Sequence, residues 1–205
     1  MVAVSRPGDF GHPRTTGYPP APSQPTRFEP GLVADLPEPA RRWLCHAIDA
    51  GTPLWETAQL RMQGQIRLGR WRPFTAEQSI APPERFVWSA QTRVFGLPVR
   101  GHDRYADGAG EMRWRLLGAV PVLSGGGPDI TRSAAGRLAG ETVLVPTAFR
   151  SATWQPCAEP DRVRATWTIG EFEIQVQLHV GPGGELRAVS MLRWGNPGGV
   201  PYGAY

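Results

Sequence analysis

The densest set of groups able to do chemistry lies in one run, Gly127 to Pro146, which holds Asp129, Thr131, Arg132, Ser133, Arg137 and Glu141. Arg137 and Glu141 are four residues apart, the spacing at which opposite charges meet along a helix surface. In the structural reading they simply satisfy one another. In the functional reading Glu141 is a general acid or base, which requires burial to raise its pKa. Arg132 and Arg137 are then the groups that would meet an acidic head group. Upstream, His102 and Asp103 are neighbours in a strand-like stretch, where adjacent side chains point to opposite faces, so they cannot form a dyad. His102 with Glu141 and Ser133 is the one hydrolase-like constellation on offer, and no Gly-x-Ser-x-Gly elbow surrounds the serine.

Composition removes other chemistries. Every basic residue is arginine and none is lysine, which excludes Schiff-base catalysis and a lysine phosphate clamp. The four histidines, His12, His46, His102 and His179, fall at no metal-ligand spacing, so no metal is expected. No glycine motif follows a strand and opens a helix as a dinucleotide site requires, so no cofactor is expected either. The net charge is +4, but the arginines are scattered among acids rather than gathered in a run, which argues against nucleic acid. Cys45 and Cys157 are too few for a disulfide framework and read as two buried thiols. No segment has the apolar length of a membrane span, and the first residues lack a secretory apolar stretch, so a cytoplasmic protein is expected.

The elements that must position these groups follow from periodicity. Residues 1–30 carry seven prolines and three glycines with little pattern and are expected to form a disordered tail. A single α+β domain is expected over 31–205. Asp35-Leu36-Pro37-Glu38-Pro39 opens a helix whose apolar face is Ala40, Trp43, Leu44, Ala47 and Ile48, ended by Gly51. From Thr57 the period becomes two, and strands follow one another through tight turns, including a hairpin at Asp107-Gly108. Gly118 to Gly127 reads as an apolar, then glycine-rich, connection. The run from Gly127 reads as a second helix, capped by Asp129 or Thr131, with Ile130, Ala134 and Leu138 on one face. Gly136 and Gly140, poor helix formers four apart, point to close approach of that helix to another backbone, the sheet. Strands then resume to Trp194.

Several strings together resemble a bacterial family catalogued only as a domain of unknown function. They are Gly69-Arg70-Trp71-Arg72-Pro73-Phe74, the pair Phe86 and Trp88, the run from Pro128 to Glu141, and Met191 to Pro197. The most specific are Arg-Ser-Ala-Ala-Gly-Arg-Leu-Ala-Gly-Glu and Arg-Trp-Gly-Asn-Pro. The resemblance implies a small bacterial protein with no assigned reaction, and further strands beyond the Asn196–Pro197 turn. Against it, the chain reads as truncated, with an open sheet edge.

The expected architecture is a strongly curved antiparallel meander, a half-barrel like those of lipoprotein carriers, wrapping two helices. Trp88, Met112, Trp114 and Trp167 would face inward with Arg132, Arg137 and Glu141 at the mouth. The leading functional expectation is non-catalytic binding of a small apolar or acidic-headed, lipid-like ligand in that cup. A hydrolase using Glu141 with His102 or Ser133 is the first alternative. An interaction module, such as a homodimer paired through an open edge strand, is the second.

Overall fold

The computed structural model describes residues 3–4 (backbone only), 25–196 and 200–205. Most of the expected tail, Tyr18 included, therefore lies outside the described residues. Its last part does not behave as tail. Phe28 is fully buried, edge-on to Phe149 at 6.3 Å, with its N–H on the Thr52 carbonyl and its own carbonyl taking the Gly51 N–H. The folded body thus begins before residue 31, because one phenyl ring anchors an otherwise polar stretch.

Helix α1, Glu38–Ala47, forms with Pro39 in the first turn and Ala40, Trp43 and Leu44 of the expected face buried. Ala47 of that face is exposed, and Ile48 lies just past the helix end. Trp43 packs on Trp154 at 6.0 Å. His46 is exposed, as a helix-flank histidine should be. Cys45 is also exposed and Cys157 only half-buried, so the two-buried-thiols reading fails: Cys45 falls on the polar side of α1.

The strands are antiparallel throughout, and the α+β class holds. Strands β1 (Ala3–Val4), β2 (Ala58–Leu68), β3 (Arg70–Ala81), β4 (Arg85–Val94), β5 (Leu97–Ala106), β6 (Ala109–Leu116) and β7 (Val120–Gly125) make one sheet in sequential order. Strands β8 (Ala152–Pro156), β9 (Arg162–Ile169), β10 (Phe172–Val180) and β11 (Leu186–Ser190) make a second, also sequential. The single bent layer expected from the sequence is therefore two sheets, and neither order closes into a barrel. The reason is the segment between them. Helix α2, Pro128–Glu141, and the 3₁₀ turns Thr142–Leu144 and Pro146–Ser151 carry the chain off β7 before β8 begins.

Two further departures are local. The stretch taken as a connection, Gly118 to Gly127, contains β7, paired to β6 with a register shift at Trp114/Arg115. The ending read as a turn leading nowhere returns to pair: β12 (Trp194–Gly195) with β13 (Gly203–Ala204), flanked by mutual Arg193–Tyr205 backbone hydrogen bonds. Among the described residues no helix is long and apolar enough to cross a membrane.

Helix α2 lies between the sheets, touching β5 and β6 on one side and β9, β10 and β12 on the other. Ala135, Leu138 and Ala139 are fully buried there. Its seat on β6 is Gly110, whose N–H donates to the Thr131 hydroxyl at 3.0 Å while that hydroxyl donates to the Gly127 carbonyl at 2.9 Å. A Cβ at Gly110 would lie 2.7 Å from the Ile130 carbonyl oxygen and the Thr131 Cα. The close approach anticipated from Gly136 and Gly140 thus belongs to a strand glycine instead. The helix glycines face Met191, whose Sδ would be 3.0 Å from a Cβ at Gly140, whereas a Cβ at Gly136 meets nothing nearer than 3.8 Å. Neither Asp129 nor Thr131 caps the helix through its side chain; Gly127 occupies that position at φ 91°.

These contacts separate two glycines that look alike in sequence. Gly110→Ala should destabilise by about 2 kcal/mol, because backbone must move to admit the methyl. Gly136→Ala should stabilise by about 0.5–1 kcal/mol, through lower helix cost with no new clash. Urea unfolding of both variants measures the difference.

Candidate functional site

The register places one row of side chains on the α2-facing side of the large sheet: Leu60, Gln78, Trp88, Asp103 and Met112, one from each of β2 to β6. The adjoining row is Met62, Ala76, Ala90, Gly101 and Trp114. Small residues in its middle leave room for the large ones at its ends. The Trp114 ring lies so close to Gly101 that any Cβ there would overlap it. Trp114 is 5.8 Å from Trp88, and Trp88 is 6.1 Å from Phe74. Met62, Phe74, Met112 and Trp114 are each half-buried, so this aromatic shelf keeps one side open.

From the other side α2 presents Arg137 and Glu141, one helical turn apart. Arg137 donates to Glu141 from Nε at 2.8 Å and to Asp103 Oδ2 from Nη1 at 3.1 Å. Its guanidinium lies 4.9 Å from the Phe86 ring centre and 4.8 Å from that of Trp88, a cation held between two π faces. Gln78 Nε2 donates to the second Glu141 oxygen at 2.6 Å, and Trp114 Nε1 donates to Asp103 Oδ1 at 3.1 Å. Every member is paired, yet the side chains of Arg137, Asp103 and Glu141 stay 20%, 26% and 28% exposed. The cluster carries one positive and two negative charges beside an apolar shelf. Chemically it offers carboxylate acceptors to a polar or cationic group and hydrophobic surface to whatever is attached.

The sequence-derived candidates are thus partly assembled. Trp88, Met112, Trp114, Arg137 and Glu141 come together. Arg132 does not join them: it is exposed and stacks on Trp194 at 4.1 Å, on another side of α2. Ser133 contributes its backbone carbonyl to Arg193 Nη2 at 3.1 Å. Trp167 belongs to the second sheet, against Trp154 at 6.2 Å and donating to the Ser151 hydroxyl. His102 points to the opposite face of the large sheet, as its neighbour Asp103 requires. There it meets Glu111 at 2.9 Å, and Arg104 and Arg113 meet the same carboxylate. The hydrolase constellation of His102, Ser133 and Glu141 is therefore spread over three surfaces.

Gln78, Asp103 and Phe86 were missing from the sequence-derived site. The signal for the first two was present: each is a polar residue at an inward position of an apolar period-two row, Phe74-Ala76-Gln78-Ile80 and Val99-Gly101-Asp103-Tyr105. A trough of about 720 Å³ in the large sheet is lined by Thr75, Ser89, Gln91 and Arg100 among its polar residues and by Met62, Ala76, Ala90 and Gly101 of the adjoining row. Among the described residues, no group of three or more His, Cys, Asp or Glu is placed to hold a metal.

Residues 26–204 match the model of a family described as a family of unknown function (DUF6544). No curated protein and no solved structure matches the chain.

Two measurements probe the electrostatics on the two faces. The hydrogen bond from His102, with help from Arg104 and Arg113, holds Glu111 below the usual carboxylate range. A depressed folded pKa stabilises the protein above the unfolded value, and that contribution is lost as pH falls through the folded one. Glu111→Gln should therefore lower Tm at about pH 7, with the gap closing from about pH 5 downward. On the helix side, Arg137→Met leaves two carboxylates facing each other and should cost about 1–2 kcal/mol, less than a fully buried pair because of the partial exposure. Adding Asp103→Asn should return part of that loss in a double-mutant cycle.

Proposed function

The chain belongs to that family of unknown function, DUF6544, and we propose that it is a non-catalytic binding protein for a small amphipathic ligand. The apolar part lies on the half-open shelf of Met62, Phe74, Trp88 and Trp114. The head group sits at the Arg137–Asp103–Glu141 cluster. In this reading the large sheet is the concave half-barrel of a carrier, akin to lipoprotein carriers. That likeness is one of fold and adds little to the functional argument.

One observation carries the proposal: a fully paired ion cluster left open to solvent at the rim of an aromatic surface that α2 does not cover. A partly exposed ion pair contributes little to stability, so its retention in this open setting is not explained by folding energy alone. An exposed apolar shelf costs solubility unless something lies on it. The same geometry revises the expected head group. An acidic head would meet two carboxylates whose one partner arginine is already shared between them. A hydroxyl-rich, amide or quaternary ammonium head meets acceptors and π faces. The ligand class is thus a single-chain amphiphile with a neutral or cationic head.

Native mass spectrometry of freshly purified protein should reveal a retained mass of lipid size. In tryptophan-fluorescence titrations, lysophosphatidylcholine should bind at least about tenfold more tightly than a fatty acid of equal chain length. Glu141→Gln should narrow that difference, and Trp114→Leu should weaken both. An empty protein that binds neither amphiphile, or one that prefers the fatty acid, overturns the reading.

A further inference from the structure

The large sheet ends in turns that differ in kind at its two ends. At one end the β3–β4 turn is Ala81-Pro82-Pro83-Glu84 and the β5–β6 turn is Ala106-Asp107-Gly108-Ala109, with no large apolar residue in either. At the other end all three turns carry them. The β2–β3 turn is flanked by Leu68 and Trp71, the β4–β5 turn holds Phe95 and Leu97, and the β6–β7 turn holds Leu117 and Val120. All six side chains are exposed, with Phe95 at 84%, Trp71 at 64% and Leu117 at 58%.

Two of these residues occupy their tips against local preference. Phe95 at φ 52° and Leu117 at φ 56° are left-handed, each followed by a left-handed glycine, Gly96 or Gly118. Phe95-Gly96 is a two-residue loop, and Leu117 opens the three-residue loop Leu117-Gly118-Ala119. Left-handed positions before a glycine favour Asn or Asp, and bulky residues there are outliers. The two-residue turn at the opposite end, the counterpart of Phe95-Gly96, uses the ordinary pair Asp107-Gly108. Where nothing but turn geometry matters the chain has an aspartate. At the two matching positions of the other end it has a phenylalanine and a leucine. Strained residues of this sort concentrate at functional surfaces.

The tips also form a regular staircase. Counting from the row Phe74, Thr92, Leu116, strand β3 extends four residues further to Arg70, β4 two further to Val94, and β6 none. Each hairpin thus ends about 7 Å short of the previous one. One plane inclined to the strands touches all three.

Charge completes the pattern. The stretches 61–76, 85–102 and 112–128 contain nine arginines and not one aspartate or glutamate. Of these, Arg67, Arg70, Arg72, Arg93, Arg100 and Arg115 lie toward this end. Arg85 opens β4 at the opposite end, and Arg61 and Arg113 pair with Glu77 and Glu111. Arg67, Arg70, Arg93, Arg100 and Arg115 are exposed, and among the described residues no carboxylate pairs with any of them. Aromatic and leucine tips ringed by arginine match the interfacial zone of an anionic bilayer, where apolar side chains enter and guanidinium groups meet phosphates.

We propose that this end of the sheet docks on an anionic lipid bilayer, with Trp71, Phe95, Leu97 and Leu117 entering the interface. The site shares no residue with the ion cluster under α2 and does not depend on the ligand reading. The test uses the full chain and vesicles of phosphatidylcholine alone or with about 30% phosphatidylglycerol. Co-flotation should occur with the anionic vesicles, weaken with salt, and be at least about tenfold lower with the neutral ones.

Phe95→Asn with Leu117→Asn places at each tip a residue suited to its backbone. Thermal stability should hold or rise while vesicle binding falls by about tenfold or more. As a check that needs no tip variant, brominated lipid should quench the unmodified protein, and Trp71→Ser should remove most of that quenching. The proposal is overturned by an absence of flotation with anionic vesicles, or by binding that the asparagine pair leaves unchanged. It is equally overturned if the protein is a dimer that the pair converts to monomer without any lipid binding, since the tips would then cover a second copy.

Discussion

Helix α2 sits on β6 at a distance that only glycine permits, and the site geometry descends from that approach. At Gly110 the strand backbone donates to the Thr131 hydroxyl, and no Cβ intervenes. A helix held off by even one methyl would tilt or slide along the sheet. Two turns further on, Arg137 must reach Asp103 across the inter-layer gap at 3.1 Å, and such a shift would part them. The Gly127 start and the buried Ala135 and Ala139 serve the same end, a thin helix pressed between two sheets.

That closeness explains why a charge can lie among aromatic rings. A guanidinium is weakly hydrated and planar, so it loses less than an ammonium would when Phe86 and Trp88 replace water on its faces. The loss that remains is offset by two carboxylates in the plane of the group. Those carboxylates need partners of their own, and Gln78 and the Trp114 indole supply them. The result is a closed set of hydrogen bonds whose members come from β3, β5, β6 and α2. Each fixes the rotamer of the next, which makes the rim rigid although it is open to water.

What the sequence made legible was what is local. Alternation marked Phe86, Trp88, Ala90 and Thr92 as one face, and they are buried together. The Asp107-Gly108 hairpin and the i,i+4 pair of Arg137 and Glu141 are set by residues only a few positions apart. Strand β7 escaped because Val120-Pro121-Val122-Leu123 has neither alternation nor a polar face, and its partner is recognisable only once β6 is in place. The split into two sheets escaped because every sequential strand pair looks alike whether or not the chain leaves the sheet between them. His102 and Ser133 suggested chemistry by type alone, and the pleat sent the histidine to the far face. Gln78 and Asp103 broke the apolar alternation, and that break was the stronger sign of a site.

The modest net charge conceals a sharp partition. Nine arginines without an acid occupy the three acid-free stretches of the large sheet, leaving thirteen arginines against eighteen acids in the rest of the chain. Counted over the whole chain, the basic residues look scattered. Counted along the folded sheet, the end with the apolar tips carries Arg67, Arg70, Arg72, Arg93, Arg100 and Arg115 and no acid, while the rest of the chain outside the three stretches is net acidic. An unbalanced positive patch of this kind orients the molecule before contact with an anionic surface, because one approach is favoured over the others. It also accounts for the turn chemistry. Arg72 is buried and braces the backbone at Leu68 and Arg93. The exposed arginines Arg67, Arg70, Arg100 and Arg115 and the apolar tips add little to folding, since none of them is buried. Asp107-Gly108 shows that this chain closes the same kind of hairpin without strain where only folding is at stake. Among the described residues Phe95 has only the Arg72 guanidinium over one face of its ring, at 5.4 Å; it and Leu117 otherwise remain largely exposed at the tips.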